Sequence, residues 1–151
     1  DSVGIKSQVF FDVFKRFGNK IALKVVEYHE ENGGVSRFKK FEYINQKYLQ
    51  NKLNNKDIQI ISQNFSKLIK SRIYNAPYIN GIIDFLKNNF SKYIFYIATS
   101  TPQNEIIEIL TNKQIIQFFF KVFGSPLSKS DQIKKILKLD NNHKHEFLFF
   151  W

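Results

Sequence analysis

Hydrophobic spacing changes character once along this chain, near Asn75-Ala76-Pro77, and that change limits the possible folds more than any other feature. Before it, apolar residues recur at helical intervals. Val9, Phe10, Val13, Phe14 and Phe17 form one stripe, and Gly18 is placed to end it. Ile21, Ala22, Val25 and Val26 form a second, stopped by Gly33-Gly34. Ser36 is placed to cap a third helix with Phe38, Phe41, Ile44 and Tyr48 on one face. Asp57 is placed to cap a fourth, carrying Ile58, Ile61, Phe65, Leu68 and Ile69. This half predicts a four-helix array with no convincing strand.

After the change, short apolar runs alternate with amphipathic stretches. A brief helix (Ile79, Ile82, Ile83, Leu86) leads to Tyr93-Ile94-Phe95-Tyr96-Ile97-Ala98, whose composition predicts a strand buried on both faces. Thr101 is then expected as an N-cap and Pro102 as the first residue of a helix packed through Ile106, Ile107 and Leu110. Phe118 to Phe123 predicts a second strand, and a helix with Ile133, Ile136 and Leu137 buried follows Gly124-Ser125-Pro126. Phe147-Leu148-Phe149-Phe150-Trp151 reads as a third strand. Strands alternating with helices predict crossovers and a parallel α/β sheet. The expected division is a helical unit over residues 5–75 and a Rossmann-like core over 76–151.

With 43% hydrophobic residues and seventeen Phe among 151 residues, the chain has material for a core, so a disordered tail is excluded. No apolar run approaches the roughly 18 residues of a spanning helix, and the start lacks the basic and apolar regions of a signal peptide. Cysteine is absent, which removes disulfides and thiolate metal sites and fits a cytoplasmic setting. The formal charge of +10 would attract anions. The lysines are dispersed, however, and Lys, Asn, Ile, Phe and Tyr are abundant together, as an AT-rich genome would produce; nucleic acid is not the expected partner. Methionine is absent even at position 1, and five bare apolar residues close the chain, so both ends are expected to be interior to a longer protein.

In open parallel sheets, ligands bind beyond the carboxyl ends of the strands. After the first run stand Thr99-Ser100-Thr101-Pro102, hydroxyls beside a helix N-terminus that suit a phosphate; equally, Thr99 ends the strand and Thr101 only caps the helix. After the second run stand Gly124-Ser125-Pro126-Leu127-Ser128-Lys129-Ser130, where Lys129 brings a positive charge to the same rim and Ser128 or Ser130 is a candidate cap. In the first half, Gly33-Gly34 permits a sharp turn, and Arg37 offers a planar fork to an anionic group or stands as a solvated arginine. His29 reads as a surface or packing residue, and His143 and His145 as part of a polar loop. No pair of carboxylates and pair of histidines at metal-ligand spacing is found.

A hydroxyl after one strand, a lysine after Gly-Ser-Pro and a following strand-like run, in this order, resemble the haloacid dehalogenase superfamily. The resemblance places the second and third signature elements at Thr99 and Lys129. Asp1-Ser2, followed by Ile5-Lys6 and Val9-Phe10, resembles the end of the first element, Asp-x-Asp-Gly-x-x-x-Asp-Ser. The stretch from Tyr28 to Phe41, with Gly33, Gly34 and Arg37, resembles the helical cap of a phosphoglycolate-phosphatase-like subgroup. The resemblance implies a Rossmann-like α/β core under a helical cap, and Mg²⁺-assisted hydrolysis of a small phosphate monoester through an aspartyl-phosphate. Thr99 and Ser100 would hold the phosphoryl group, Lys129 would stabilise its charge, and Gly34 and Arg37 would meet the substrate. Both catalytic aspartates and the metal ligands would lie outside this chain, which alone is expected to be inactive. A phosphomutase or dehalogenase of the same superfamily, a non-catalytic anion- or nucleic-acid-binding module, and a degenerate scaffold remain open alternatives.

Overall fold

The computed structural model describes residues 3–139 and 147–149. Four helices come first: α1 (Val3–Phe14, continued by a 3-10 turn, Lys15–Phe17), α2 (Asn19–Glu31), α3 (Arg37–Lys47) and α4 (Asn55–Asn75). Gly18, at φ 108°, ends the first and leads into the second, a conformation that side-chain-bearing residues rarely adopt. Phe10 is the hub of this array. Its ring lies 4.7 Å from Phe65, 5.9 Å from Phe41 and 6.5 Å from Phe14, within a core that also contains Val25, Ile44, Ile61 and Ile69.

Two details of the helices differ from the sequence reading. The fourth helix is capped by Asn54, not Asp57. Asp57 instead occupies the third helical position and closes a reciprocal box: its N–H donates to Asn54 Oδ1 at 3.0 Å, and the Asn54 N–H donates to Asp57 Oδ2 at 3.0 Å. On α3, Phe38 is 46% exposed, and the buried face consists of Arg37, Lys40, Phe41, Ile44 and Asn45. Two cations take positions that an amphipathic helix ordinarily gives to apolar side chains.

The second half contains α5 (Ile82–Asn89), β1 (Tyr96–Pro102), α6 (Gln103–Asn112), β2 (Lys121–Ser125) and α7 (Lys129–Leu139). Ile79 precedes α5, which begins after Gly81 at φ 78°. β1 and β2 pair in parallel, Tyr96 opposite Lys121, Ile97 opposite Val122 and Ala98 opposite Phe123, with the register shifting before Pro102 meets Ser125. With α6 between them, the strands form a parallel unit of the kind expected from the alternation of runs.

The first strand begins and ends later than its apolar run. Tyr93 and Ile94 are exposed, and pairing starts where the partner strand is available, the Phe120 N–H donating to Phe95 O at 2.8 Å. At the other end β1 runs on through Thr101 and Pro102, so Thr101 is not a helix cap and Pro102 is not helical; the helix starts at Gln103. The residue before a proline is pushed away from helical angles, which holds Thr101 extended. The strand is half-buried rather than covered on both faces. Residues Ile116–Phe118 form a 3-10 turn ahead of β2, and Leu137 is exposed while Gln132 is fully buried. The expected third strand is not formed at residues 147–149, which are exposed and without regular structure; Phe150 and Trp151 lie outside the described residues, as do Asp1, Ser2, His143 and His145.

Two glutamine amides fasten this half together. Gln103 donates Nε2–H to Val122 O at 3.0 Å and accepts the Gly124 N–H on Oε1 at 2.6 Å. Gln132 donates from Nε2 to Thr99 O at 3.0 Å and to Leu127 O at 2.8 Å, tying the start of α7 to the end of β1. Gly124 lies so close to the chain across from it that a Cβ would meet Thr101 O at 2.6 Å and Gln103 Cα at 2.7 Å. We expect Gly124→Ala to destabilise the fold by about 2 kcal/mol, in the range of overpacked cores. Urea denaturation beside Gly33→Ala, where a Cβ meets open space, checks this; equal midpoints for the two variants would contradict it.

Candidate anion-binding cleft

The helical layer meets the end of β1 at a small cleft of ≈ 50 Å³, lined from below by Ser100, Thr101, Pro102 and Glu105 and from above by Lys6, His29, Gly33, Arg37 and Lys40. The elements reach it for simple reasons. Lys6 stands one helical turn before Phe10 on α1, so the packing of Phe10 turns Lys6 inward. Arg37 and Lys40 lie one turn apart on α3 and are carried in by Phe41 and Ile44.

Arg37 is 8% exposed, which excludes a solvated arginine. Its Nη2 donates to Glu105 Oε2 at 3.1 Å, and its guanidinium lies 4.9 Å from the Phe65 ring centre. Burial pushes its pKa down while the Glu105 charge holds it up, and Nε is left buried without a partner. Lys40 donates from Nζ to His29 O at 3.0 Å and lies 2.7 Å from His29 Nδ1. An ammonium is donor-only, so Nδ1 accepts and the imidazole is neutral with its proton on Nε2. Burial, then the Lys40 and Lys6 charges, lower the His29 pKa to about 4; burial and Lys6 lower that of Lys40 to about 8. Lys6 Nζ donates to Thr101 Oγ1 at 3.4 Å, and burial lowers its pKa, with Glu105 opposing and Lys129 and Arg37 reinforcing the effect.

The residues expected from sequence are thus distributed unequally. Ser100 and Arg37 line the cleft; Thr99 and Lys129 border it without lining it. The Thr99 hydroxyl donates to Thr101 Oγ1 at 3.2 Å and accepts the Thr101 N–H at 3.2 Å. Lys129, the first residue of α7, is near enough to Lys6 to depress its pKa, and Ser128 caps that helix by accepting the Asp131 N–H at 3.1 Å. Gly34 is exposed and outside the lining, where Gly33 stands instead. His29 packs, as its sequence context suggested, stacked 4.3 Å from Phe10. Lys6, Lys40, Glu105 and Gln132 escaped the sequence reading, although Lys6 and Lys40 sit on apolar stripes where a charge is conspicuous.

Among the described residues, Glu105 is the one carboxylate of the cleft lining, and it is held by Arg37. Among the described residues, no group of three or more His, Asp or Glu could hold a metal ion. This donor set does not fit Mg²⁺, which takes oxygen ligands and carboxylates in particular. Nor is any helix among the described residues long and apolar enough to cross a membrane.

The pKa of His29 yields a stability prediction. A histidine whose folded pKa lies below its unfolded value binds fewer protons when folded, so stability falls as pH drops from about 6.5 toward 4. We expect a loss on the order of 2 kcal/mol across that window. In His29→Asn, which keeps an acceptor for Lys40, the dependence should flatten. Urea midpoints at pH 7 and pH 4.5 test this, and parallel losses in the two proteins would refute it.

No family profile matches the chain, and no curated protein matches it. Among solved structures, it is similar to a candidate phosphatase from Clostridium difficile, with a TM-score of 0.61 and 16% identity over 95% of this chain and 66% of that one. It is also similar to a haloacid dehalogenase-like hydrolase from Streptococcus pneumoniae, with a TM-score of 0.59 and 24% identity over 93% of this chain and 64% of that one. The chain spans just under two thirds of the length of either structure. Its small parallel sheet, flanked by helices and roofed by a four-helix cap, has the fold of the haloacid dehalogenase-like hydrolases.

Proposed function

We propose that this chain provides the phosphate seat and the cap of a haloacid dehalogenase-type hydrolase acting on a small phosphate monoester. The observation that carries the reading is the cleft between the cap and the end of β1, where Lys6, Arg37 and Lys40 face a single carboxylate, Glu105. In a confined site of low dielectric, such an excess of positive charge selects an anion. In this reading the Thr99 hydroxyl, freed from Thr101, donates to a phosphoryl oxygen and the Ser100 backbone assists. Lys129 offsets the charge shared by phosphate and nucleophile. Gln132 acts as a positioning residue, since it joins Thr99 O to the first turns of the helix that carries Lys129.

Attack on phosphorus needs a carboxylate free to reach it, and Glu105 is engaged by Arg37. The nucleophilic aspartate, the acid/base aspartate and the Mg²⁺ ligands accordingly belong, in this proposal, to segments flanking residues 1–151, in a longer cytoplasmic protein. The cap covers the bound ester and excludes water, as closing lids do.

Two results are expected of the 151-residue chain. Isothermal titration should show it binding inorganic phosphate, with about tenfold weaker binding in Thr99→Val, the scale of one hydrogen bond to a charged group. It should not hydrolyse p-nitrophenyl phosphate, with or without Mg²⁺. Thr99-dependent turnover would overturn the assignment of the nucleophile to flanking segments, and phosphate binding indifferent to Thr99→Val would overturn the seat.

A further inference from the structure

Lys40 is held in a way that suits two protonation states. It is 2% exposed, and its Nζ has two acceptors, His29 O at 3.0 Å and His29 Nδ1 at 2.7 Å, both neutral. An ammonium has three N–H donors and an amine two. Loss of a proton therefore breaks neither hydrogen bond; it turns the third N–H into a lone pair. His29 supplies both acceptors from a fixed position. Its ring is stacked 4.3 Å from Phe10, and its carbonyl is one of the last four of α2, which a helix leaves without partners of its own.

The surroundings give the extra proton little support. Burial and the like charge of Lys6 on α1 lower the Lys40 pKa to about 8, whereas that of His29 on α2 is already down at about 4. Arg37, one turn away on α3, is a further cation and engages Glu105 of α6. The Glu105 charge does reach Lys6, where it opposes the effect of burial, while Lys129 of α7 and Arg37 reinforce it. Glu30, the next residue of α2, accepts from the Ser7 hydroxyl. α4 brings Phe65 and Ile69 to the cleft, and β1 brings Ser100 and Thr101, none of which carries a charge. A buried ammonium without a counter-ion is costly, and the empty cleft gives Lys40 none within ion-pair distance among the described residues.

We propose that anion binding in the cleft is coupled to uptake of a proton by Lys40, with His29 as the positioning residue that holds this side chain in both states. The inference concerns regulation of the proposed site and rests on that reading for the presence of an anion in the cleft. With the cleft empty, Lys40 exchanges its third proton with solvent, since it lines the opening. With an oxyanion inside, the ammonium gains an opposite charge in a low-dielectric site and keeps the proton. The empty chain therefore carries fewer protons than the occupied one above neutral pH, and affinity falls as pH rises through about 8. The cleft grips an anion near neutrality and releases it as the medium turns alkaline.

Sulfate is the probe, because it does not itself titrate between pH 7 and pH 9. Isothermal titration of the 151-residue chain at pH 8, in two buffers of different ionisation enthalpy, should show about half a proton taken up per sulfate bound. Binding should be about tenfold weaker at pH 9 than at pH 7. Lys40→Arg keeps a charge that it cannot lose, so its affinity should stay level over this range. Lys40→Met, weaker throughout, should be level as well, and serves if arginine does not fit the buried position. In His29→Leu the fall should begin at lower pH, because the ammonium loses a charge-assisted hydrogen bond, and His29→Asn should restore the original profile. No proton uptake, no measurable sulfate binding, an affinity that changes less than about threefold, or a dependence that survives both Lys40 substitutions would overturn the coupling. A His29→Leu profile identical to that of the unaltered chain would remove the positioning role. Thr99→Val separates these outcomes from failure of the phosphate seat. If that variant binds sulfate as the unaltered chain does, the seat is wrong, while the proton count still decides the coupling.

Discussion

The pairing of Arg37 with Glu105 governs the arrangement around it, because it joins the cap to the core and sets the charge of the space between. α3 and α6 are 68 positions apart at this contact, and both side chains are 8% exposed. Removing one partner from such a pair typically costs about 3–5 kcal/mol, since the other is left charged and buried. Phe65 stacks on the guanidinium, so α4 is held to the same point. The outer contacts are looser. Lys70 and Tyr74, both half-buried, reach Glu108, which is exposed to solvent, and such pairs add little.

Glu105 is held by Arg37 while its charge also reaches Lys6, and among the described residues neither cleft lysine has a carboxylate within ion-pair distance. The aromatic packing does the rest. Phe10 stacks on His29, His29 fixes Lys40, and Lys6 is drawn in one turn before Phe10 on the same helix. The hydrophobic core of the cap and the charge of the cleft are therefore two faces of one helix packing. Phe10 itself lines the cleft, so a substitution there would act on it directly as well as through His29.

The sequence made the order of elements and the division of grammar near Pro77 readable, because helical stripes and short apolar runs are local patterns. It also drew attention to Ser100 and Arg37, which line the cleft. What it could not supply was pairing. Whether the run from Tyr93 becomes strand depends on where β2 lies beside it, which shifted β1 toward Pro102. Lys6 and Lys40 were passed over because a lysine in a lysine-rich chain reads as surface, whatever its place on a helix. Gln103 and Gln132 were passed over because an amide's role depends on which carbonyls the fold brings to it. Arg37 shows the same limit: its position on α3 was legible, and its counter-ion, on a helix far along the chain, was not.

Those two glutamines have an electrical consequence as well as a mechanical one. Each ties a strand to a helix by donating from Nε2 to backbone carbonyls, which a carboxylate, having no N–H, cannot do. An amide does so with no net charge. Thr99 and Gly124 are thereby fastened by uncharged groups, while the start of α7 carries Asp131, to which the Ser128 hydroxyl donates. The fold is held at this edge by dipoles, so that its charges are left for whatever enters.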